Sequence, residues 1–282
     1  MKILVVGGAG NLGRGLVRAL DLQSHQSLVW DKDKDIHNLT PNVLTKYPID
    51  LIVNLSVIAD LKKKEIRIND LDYLVNVIGL YHLVNLSEET GIPLIQISTR
   101  EVIGVRDFRV VDKMQSSAVE LREVSESEPC FPLHSYGKTK LIGEFLMQGC
   151  MLGSVIRLNT CYTDEVRNGG GLIANLVRRS RQDSQVTLDN DGLALRDPLH
   201  IADLTSLILA IYDKQAFGEI FHASGGAMNI LSLREICTLA NADVKINSGL
   251  TNNDYGFVMD IGKAQSLGWN PKTNFRTWIT QN

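Results

Sequence analysis

The chain of 282 residues has no apolar run long enough to cross a membrane and no excess of positive charge. One of its longest apolar segments, Leu51 to Ala59, is about half of the roughly 20 residues that a membrane helix needs. Lysine and arginine number 29 against 32 aspartates and glutamates, a net charge of −3. Nucleic acid and anionic membranes bind basic surfaces, so neither is expected as a partner. Lys2 leads into a short apolar run that glycines end at once, so no secretory leader is expected and the predicted localisation is cytoplasmic.

Cysteine is scarce, and its spacing indicates neither a disulfide framework nor a metal site. The sequence has no CxxC, and its six histidines form no pair at metal-ligand spacing. Reduced thiols and no bound metal are therefore predicted. The four cysteines are Cys130, Cys150, Cys161 and Cys237.

Strand and helix patterns alternate along the first half of the chain. Short apolar runs begin near Lys2, Ser27, Ile49 and Pro93. A long helical pattern lies between the last two runs and stops at Gly91, as helices with a glycine C-cap do. Apolar residues make up 44% of the chain, enough to bury a core. Continuous apolar strands alternating with helices predict an α/β fold, a parallel sheet covered by helices on both faces.

Gly7, Gly10 and Gly13 form a GxxGxxG pattern directly between the first predicted strand and the first predicted helix. A tight strand-to-helix turn needs glycine, and so does the close approach of backbone to a pyrophosphate. The helix N-terminus that follows offers free N–H groups and the positive end of a dipole. The pattern in this place predicts a dinucleotide-binding turn.

Asp31 closes the second predicted strand, after the glycine turn. A carboxylate there accepts hydrogen bonds from ribose hydroxyls and repels a 2′-phosphate, which favours NAD over NADP. Lys32 and Lys34 follow and could neutralise such a phosphate, so NADP stays open. The alternative is that this charged run is only a solvated turn.

Tyr136 and Lys140 are four residues apart in a helical pattern, so their side chains share one helix face. A phenol with a pKa near 10 is a poor base at neutral pH. A neighbouring ammonium favours the phenolate and lowers that pKa. The pair therefore predicts a proton-transfer device beside a nicotinamide.

Several segments along the chain resemble, in order, motifs of the extended short-chain dehydrogenase/reductases, the sugar-nucleotide epimerase/dehydratase family. The resemblance covers nearly the whole chain and implies a Rossmann-type doubly wound parallel sheet with a smaller, interleaved C-terminal substrate-binding region. The segments that carry it are GGAGNLG, DLIVNLS, VNVIGLYHLVNLSEETGIP, STREVIG, YGKTKLIGE, RDPLHIADL and DIGKAQSLGWNPKT.

The same resemblance implies how the chain divides into regions. The NAD(P)-binding domain is expected to cover residues 1–160, joined by about 193–223. The substrate-binding region is expected to take residues 161–192 and 224–282. Within that region Ser232 is predicted to cap the N-terminus of a helix.

The resemblance assigns catalysis to Thr99, Tyr136 and Lys140. Thr99 matches the hydroxyl that binds the sugar oxygen, and Tyr136 matches the acid/base. Lys140 matches the residue that holds the nicotinamide ribose and lowers the pKa of the tyrosine. The residues implied to bind the cofactor, besides Tyr136 and Lys140, are Gly7, Gly10, Asn11, Leu12, Gly13, Asp31, Asp35, Ile36, Leu55 and Asn76. Those implied to bind the substrate are Thr99, Glu101, Asn159, Thr160 and Arg196.

Three departures from the family pattern concern the cofactor and substrate ends. The stretch between Asp31 and Asp50 is shorter than in typical 4-epimerases and resembles that of dTDP-4-dehydrorhamnose reductases. RLNTCYTD has Thr160 in place of the usual asparagine, with Asn159 one residue early. The C-terminal arginine that often grips the diphosphate has no counterpart in GLTNNDYGFVMD.

Glu101 occupies the position of the glutamate that serves as a base in dehydratases and decarboxylases of this family. Arg100 replaces the acid that precedes it there. The alternative is an ordinary surface ion pair between these neighbours, which contributes little.

The leading interpretation is an NAD-dependent epimerase that oxidises and re-reduces one carbon of a nucleotide-linked sugar. The alternatives are a keto-sugar-nucleotide reductase, a 4,6-dehydratase and a non-catalytic NAD(P)-binding regulatory protein. The intact set of Thr99, Tyr136 and Lys140 argues against the regulator. By the same resemblance, the apolar faces of residues 75–86 and 138–148 predict a homodimer.

Overall fold

The computed structural model describes residues 1–32, 34–104, 123–165, 170–181, 185–189, 192–247 and 256–281. Its strands are β1 (Lys2–Val6), β2 (Gln26–Trp30), β3 (Leu51–Asn54), β4 (Leu94–Thr99), β5 (Glu123–Val124), β6 (Gly153–Leu158), β7 (Cys161–Tyr162), β8 (Val186–Asp189), β9 (Leu195–Arg196), β10 (Leu199–His200), β11 (Ile220–Ala223), β12 (Leu231–Ser232), β13 (Val244–Asn247) and β14 (Val258–Met259). Its α-helices are α1 (Asn11–Leu22), α2 (Pro41–Lys46), α3 (Leu71–Tyr73), α4 (Gly79–Thr90), α5 (Ser135–Met147), α6 (Leu172–Arg181), α7 (Ile201–Asp213), α8 (Leu233–Leu239), α9 (Gly262–Gln265) and α10 (Phe275–Gln281).

Six strands form one sheet in the order β11-β6-β4-β3-β1-β2, and every neighbouring pair is parallel. The predicted parallel sheet is confirmed. The chain runs outward from β1 to β2 and then returns to the other side of β1 as β3. The loops that leave β1 and β3 diverge there, which opens a crevice at the carboxyl ends of the strands.

Helices cover both faces of this sheet, because successive side chains of a strand point to opposite sides. Ile3 and Val5 belong to a buried cluster that includes residues of α1 and α7. Leu4 and Val6 belong to a second cluster that includes residues of α2 and α4. The two layers confirm the Rossmann-type α/β fold.

The long helix predicted to stop at Gly91 is present and ends there. Gly91 has a left-handed φ of +67°, and its N–H donates to the Ser87 carbonyl at 2.8 Å. A π-helical segment, Leu74–Ile78, joins α3 to α4 and contains the buried Asn76. Single π turns are frequent at functional sites.

The C-terminal part packs around a separate apolar cluster built from α6, α8, α10 and neighbouring short strands. Ser232 caps α8, as predicted. Its Oγ accepts from the Glu235 N–H at 3.1 Å, and the Glu235 carboxylate accepts from the Ser232 N–H at 2.8 Å. This reciprocal pair satisfies two N–H groups at the start of the helix. The division into two regions at the stated boundaries stays a prediction.

Among the described residues, no helix combines the length and the apolar character needed to cross a membrane. In the same part of the chain, no group of three or more His, Cys, Asp or Glu side chains has an arrangement that could hold a metal ion.

Candidate active site

A cavity of about 820 Å³ opens at the carboxyl ends of β1, β3, β4 and β6. Most of the predicted site residues meet there, although they are far apart along the chain. Those that line the cavity are Gly7, Gly10, Asn11, Leu12, Gly13, Asp31, Asp35, Ile36, Leu55, Thr99, Tyr136, Lys140 and Asn159. Asn76, Glu101, Thr160 and Arg196 are not among the described residues that line it.

The glycine turn leaves no room for side chains between β1 and α1. Gly7 has a φ of +82°, and a Cβ on it would lie 2.7 Å from the backbone N of Ser56. A Cβ on Gly13 would overlap the carbonyl oxygen of Gly7. Gly10 is the N-cap residue of α1, and its N–H donates to the Gly7 carbonyl at 3.1 Å. The glycines therefore present bare backbone to the cavity beside the N-terminus of α1, which suits a pyrophosphate.

Asp31 braces this turn from the end of β2. Its Oδ2 accepts from the Ala9 N–H at 2.7 Å, and its Oδ1 accepts from the Lys32 N–H at 2.8 Å. Each carboxylate oxygen can accept a further bond, so the brace is compatible with binding a ribose hydroxyl. Sequence reasoning predicted the ribose contact but missed the bond to Ala9.

The two lysines after Asp31 line the same end of the cavity. Lys34 contacts the end of β2, since its Nζ donates to the Val29 carbonyl at 3.3 Å and lies 5.3 Å from the Trp30 ring centroid. Asp35 caps a short 3₁₀ turn, where its Oδ1 accepts from the His37 N–H at 3.0 Å.

Asn76 acts behind the cavity wall rather than in it. Its Oδ1 accepts from the Ile58 N–H at 2.9 Å, and its Nδ2 donates to the Ile58 carbonyl at 2.9 Å. The same Nδ2 lies 3.0 Å from Thr139 Oγ1 on α5. Ile58 lines the cavity, so Asn76 can reach a bound cofactor only through the backbone it holds.

Thr99 and Tyr136 come together because α5 packs on β4. Burial raises the pKa of Tyr136 to about 12, the Thr99 hydroxyl opposes that rise through a hydrogen bond, and the charge of Glu101 adds to it. The expectation that Lys140 lowers this pKa is not met here. The physical reason is that burial also lowers the pKa of Lys140, to about 7, so this lysine has lost its positive charge before Tyr136 titrates.

Lys140 is fixed against β4 and is 3% exposed. Its Nζ donates to the Ile97 carbonyl at 2.9 Å. Burial lowers the pKa of Lys140 to about 7, and the charge of Glu144 opposes this. Glu144 is held in turn by Arg157, whose Nη2 lies 2.8 Å away, and by the Ser98 hydroxyl at 2.5 Å. The charge state of Lys140 therefore depends on a buried carboxylate one helical turn farther along.

A buried polar chain lies beside the substrate end of the cavity. The Arg100 guanidinium donates to Asn159 Oδ1 at 3.2 Å and sits 4.1 Å from the Phe257 ring centroid. Asn159 Nδ2 donates in turn to the Asp197 carboxylate. Thr160 adjoins this chain, and its N–H donates to Asn159 Oδ1 at 2.8 Å. Sequence reasoning gave Asp197 no role, although it sits in the quoted RDPLHIADL segment.

Two predicted substrate residues lie outside the cavity lining. Glu101 is half-buried next to Thr99, and Arg196 lies on β9 with its Nη1 bonded to the Leu195 carbonyl at 2.6 Å. The segment predicted to lack a diphosphate-binding arginine covers residues 249–260, and residues 249–255 of it lie outside the described residues. The lining also includes Val57, Ile58 and Ala59, which sequence reasoning missed. Their position directly after the third predicted strand could have indicated that they lie at the carboxyl edge of the sheet, where the cavity opens.

The family described as RmlD substrate binding domain matches residues 1–248 of this chain. The chain belongs to that family. The resemblance to sugar-nucleotide short-chain dehydrogenase/reductases that the motifs carry is confirmed.

Relatives of this RmlD-family chain act on nucleotide sugars in different ways. A dTDP-D-glucose 4,6-dehydratase of Mus musculus is 24% identical over 247 residues, which cover 82% of this chain and 66% of the mouse protein. The structure of a UDP-glucose 4-epimerase from Brucella ovis in complex with NAD matches with a TM-score of 0.82 at 19% identity, covering 99% of this chain and 96% of that one. A dTDP-4-dehydrorhamnose reductase from Clostridium acetobutylicum matches with a TM-score of 0.77 at 20% identity, covering 100% and 98%. At such identities the structures establish the fold, and the three activities leave the reaction of this chain open.

Proposed function

We propose that this RmlD-family protein is an NAD-dependent epimerase of a nucleotide-linked sugar. The observation that carries the proposal is that one cavity joins the glycine turn to Thr99, Tyr136 and Lys140. A dinucleotide cradle alone would suit a binding protein. A half-buried tyrosine with a buried threonine and lysine at its other end would supply proton transfer, which a binding protein does not need.

The residues present fit NAD. The bare backbone at Gly7 and Gly13 gives a pyrophosphate close access to the N–H groups of α1. Asp31 would accept hydrogen bonds from the adenosine ribose and repel a 2′-phosphate, so NAD is preferred over NADP. Lys140 lines the same cavity and would bind the nicotinamide ribose after turning from the Ile97 carbonyl. When bound, NAD supplies a nicotinamide that accepts and returns a hydride.

The protein's own part is to orient the sugar and to move a proton at its hydroxyl oxygen. Thr99 and Tyr136 share a hydrogen bond, so both hydroxyls can face one sugar oxygen. With its pKa raised to about 12, Tyr136 holds its proton at neutral pH and is suited to return it when the sugar carbon is re-reduced. Removing the sugar's proton needs the phenolate, which the Lys140 ammonium would favour if it turned from Ile97 toward a bound ribose.

A keto-sugar-nucleotide reductase is the second candidate, because the same three residues would serve one half of the epimerase reaction. The short stretch between Asp31 and Asp50 supports it. A 4,6-dehydratase has less support, since Glu101 lies outside the cavity lining and an arginine, Arg100, stands where a proton donor is needed.

The test is turnover on a panel of UDP-, dTDP- and GDP-sugars with NAD present, with products separated by chromatography. We expect one sugar to be interconverted with its epimer without net formation of NADH. Tyr136→Phe should reduce this turnover by about 10²–10⁴-fold and leave NAD affinity unchanged, because the ring still packs but cannot move a proton. Tyr47→Phe, an exposed tyrosine outside the cavity lining, is the matched control and should keep full activity.

Turnover by Tyr136→Phe at the wild-type rate would show that this tyrosine is not the acid/base. Consumption of NADH with a 4-keto sugar nucleotide, in place of epimerisation, would favour the reductase. Tight NAD binding with no turnover on the panel and binding of a protein partner would favour the regulator.

A further inference from the structure

The cavity has one wall, residues 57–64, that belongs to no helix or strand. We call it the wall segment. Val57, Ile58 and Ala59 at its start line the cavity. Its far end meets the first turn of α5, which carries Tyr136. There the Ser135 N–H donates to the Lys63 carbonyl at 2.7 Å.

A second bond from the same turn of α5 reaches the wall segment. Lys138 Nζ donates to the Lys64 carbonyl at 2.7 Å. The turn that presents these carbonyls is itself ordered, because Asp60 Oδ1 accepts from the Lys62 N–H at 2.9 Å and from the Lys63 N–H at 3.1 Å. The wall segment therefore presents two ordered backbone carbonyls to the first turn of α5.

The Lys63 side chain links the wall segment to α3. Its Nζ lies 2.6 Å from Asp72 Oδ1 and 2.7 Å from Asp70 Oδ2. The Asp72 side chain is 4% exposed and that of Lys63 is 27% exposed. Burial raises the pKa of Asp72, but hydrogen bonds from Lys63 and Ser135 outweigh it, so the pKa lies below its usual value. An ion pair that buries one partner resists screening by solvent and holds its geometry better than an exposed pair.

Asn76 holds the start of the same segment, through both backbone groups of Ile58. It also contacts Thr139, whose Oγ1 lies 3.0 Å from the Tyr136 carbonyl. Both ends of the wall segment are thus anchored to the helix that begins at Leu71 and to α5. One anchor is a neutral amide and the other is the Lys63 ion pair.

We propose that Lys63 is a positioning residue, which through Asp72 keeps the wall segment in register with the first turn of α5 and so places Tyr136 against the cavity. This claim rests on the proposed function only where it concerns the chemistry of Tyr136. Lys63 does not line the cavity, so its loss acts through the backbone. A misplacement of about 1 Å at the reacting groups can cost as much as about a hundredfold in rate.

The expected outcome is a loss of rate larger than the loss of cofactor binding. In Lys63→Met, kcat should fall about tenfold or more, because Tyr136 is displaced from the sugar. NAD affinity measured by calorimetry should change much less, since the hydrogen bonds and ion pairs of Lys63 are with Asp60, Asp70, Asp72 and Ser135 and not with the glycine turn. Lys63→Arg keeps the cation and should restore most of kcat.

A second measurement does not depend on turnover. Hydrogen exchange followed by mass spectrometry should show faster exchange in peptides covering residues 57–64 and 134–138 of Lys63→Met, by about tenfold. The strand Lys2–Val6 should exchange as in the wild type. The double variant Lys63→Met/Asp72→Asn removes both charges, leaves no buried carboxylate unpaired, and should show the same local loosening.

Arg67→Met is the matched control. Arg67 lies just beyond the wall segment and pairs with Glu65 at 3.4 Å, but both side chains are more than two-thirds exposed. Removing this cation should change neither exchange nor kcat, because an exposed pair contributes little.

Unchanged exchange at residues 134–138 in Lys63→Met and in the double variant Lys63→Met/Asp72→Asn would overturn the proposal, whatever the activity. Equal losses of kcat and NAD affinity, not restored by Lys63→Arg, would also overturn it and indicate general destabilisation. If no sugar nucleotide is turned over, the proposed function fails and the exchange measurement still decides whether Lys63 holds the helix.

Discussion

Asp197 shows how the fold places a charge where water cannot reach it. Its side chain is fully buried beside Asn159 and near the Arg100 guanidinium. Burial raises the pKa of Asp197 to about 6. Hydrogen bonds from the Met259 N–H, at 3.0 Å, and from the Ser224 hydroxyl oppose this rise, as does the charge of Arg100. The contacts with Asn159, Met259 and Ser224 and the Arg100 cation thus compensate for only part of the hydration that the carboxylate loses on burial.

This residue predicts a pH dependence of stability. An unfolded aspartate titrates near 3.9, so between about pH 4 and pH 6 the folded chain holds a proton that the unfolded chain has lost. The stability contributed by Asp197 is present below about pH 4 and is lost as the pH rises through about 6. Relative to Asp197→Asn, the free energy of unfolding of the wild type should fall by up to about 3 kcal/mol over this range. Urea unfolding at a series of pH values measures it.

The matched control is Asp213→Asn, at the exposed end of α7, where folding removes little water from the side chain. Its difference from the wild type should not vary over the same range. A difference for Asp197→Asn that stays constant, or that moves in the wild type's favour as the pH rises, would contradict the prediction.

At the scale of elements, the unit from β1 through α1 to β2 works as one device. Gly13 lets the start of α1 pack directly on the strand end, and Asp31 returns from β2 to bind the Ala9 N–H. The strands provide rigidity, and the turn provides a surface of backbone N–H groups. Both the strands and the turn are needed to form the proposed dinucleotide site.

Gly13→Ala tests this unit. The added Cβ would overlap the Gly7 carbonyl and Gly8, both backbone, so α1 must shift. We expect NAD affinity to fall at least about tenfold and stability to fall by about 1–3 kcal/mol. Gly149→Ala is the control, because its Cβ meets only the Leu146 carbonyl, at an ordinary 3.6 Å.

The calorimetric titration that measures the NAD affinity of Gly13→Ala also measures the cofactor preference of the wild type. The wild type should bind NAD more tightly than NADP because of Asp31. NADP binding that is tighter by tenfold or more, about 1.4 kcal/mol, would contradict this. Wild-type affinity in Gly13→Ala would show that the turn does not hold the dinucleotide.

At the scale of the whole molecule, two neighbouring helices carry large apolar side chains on the surface. Tyr81 on α4 is 52% exposed, and Phe145 on α5 is 61% exposed. The helices touch where a Cβ on Gly143 would lie 2.8 Å from Leu80 Cδ2. A symmetric pair of chains would bury the same face twice, which supports the predicted homodimer.

Light scattering at micromolar concentration should give a mass of twice 31.3 kDa. Phe145→Glu should shift the mass toward one chain, because a symmetric interface would bury two carboxylates without partners. Leu22→Glu is the control, since Leu22 at the end of α1 is 82% exposed and lies outside these helices. A wild-type mass of 31.3 kDa alone would contradict the dimer.

Features that depend on neighbouring residues could be predicted without the structure. Strand runs, the glycine turn, the helix stop at Gly91, the cap at Ser232 and the shared face of Tyr136 and Lys140 are all local patterns, and local sterics and hydrogen bonds decide them. Most of the residues that the motif resemblance named line one cavity, because parallel strands bring their carboxyl ends to one edge of the sheet.

Which distant polar groups meet depends on how the strands and helices pack. Asp31 reaches the Ala9 N–H because β1 and β2 are neighbours in the sheet, and Asp197 reaches Asn159 because the chain returns to the end of β6. Burial lowers the pKa of Lys140 to about 7 and raises that of Tyr136 to about 12, so burial rather than a neighbouring ammonium sets the pKa of Tyr136. These contacts join residues far apart in sequence, and no local pattern encodes them, because burial and partner choice exist only once the elements have packed.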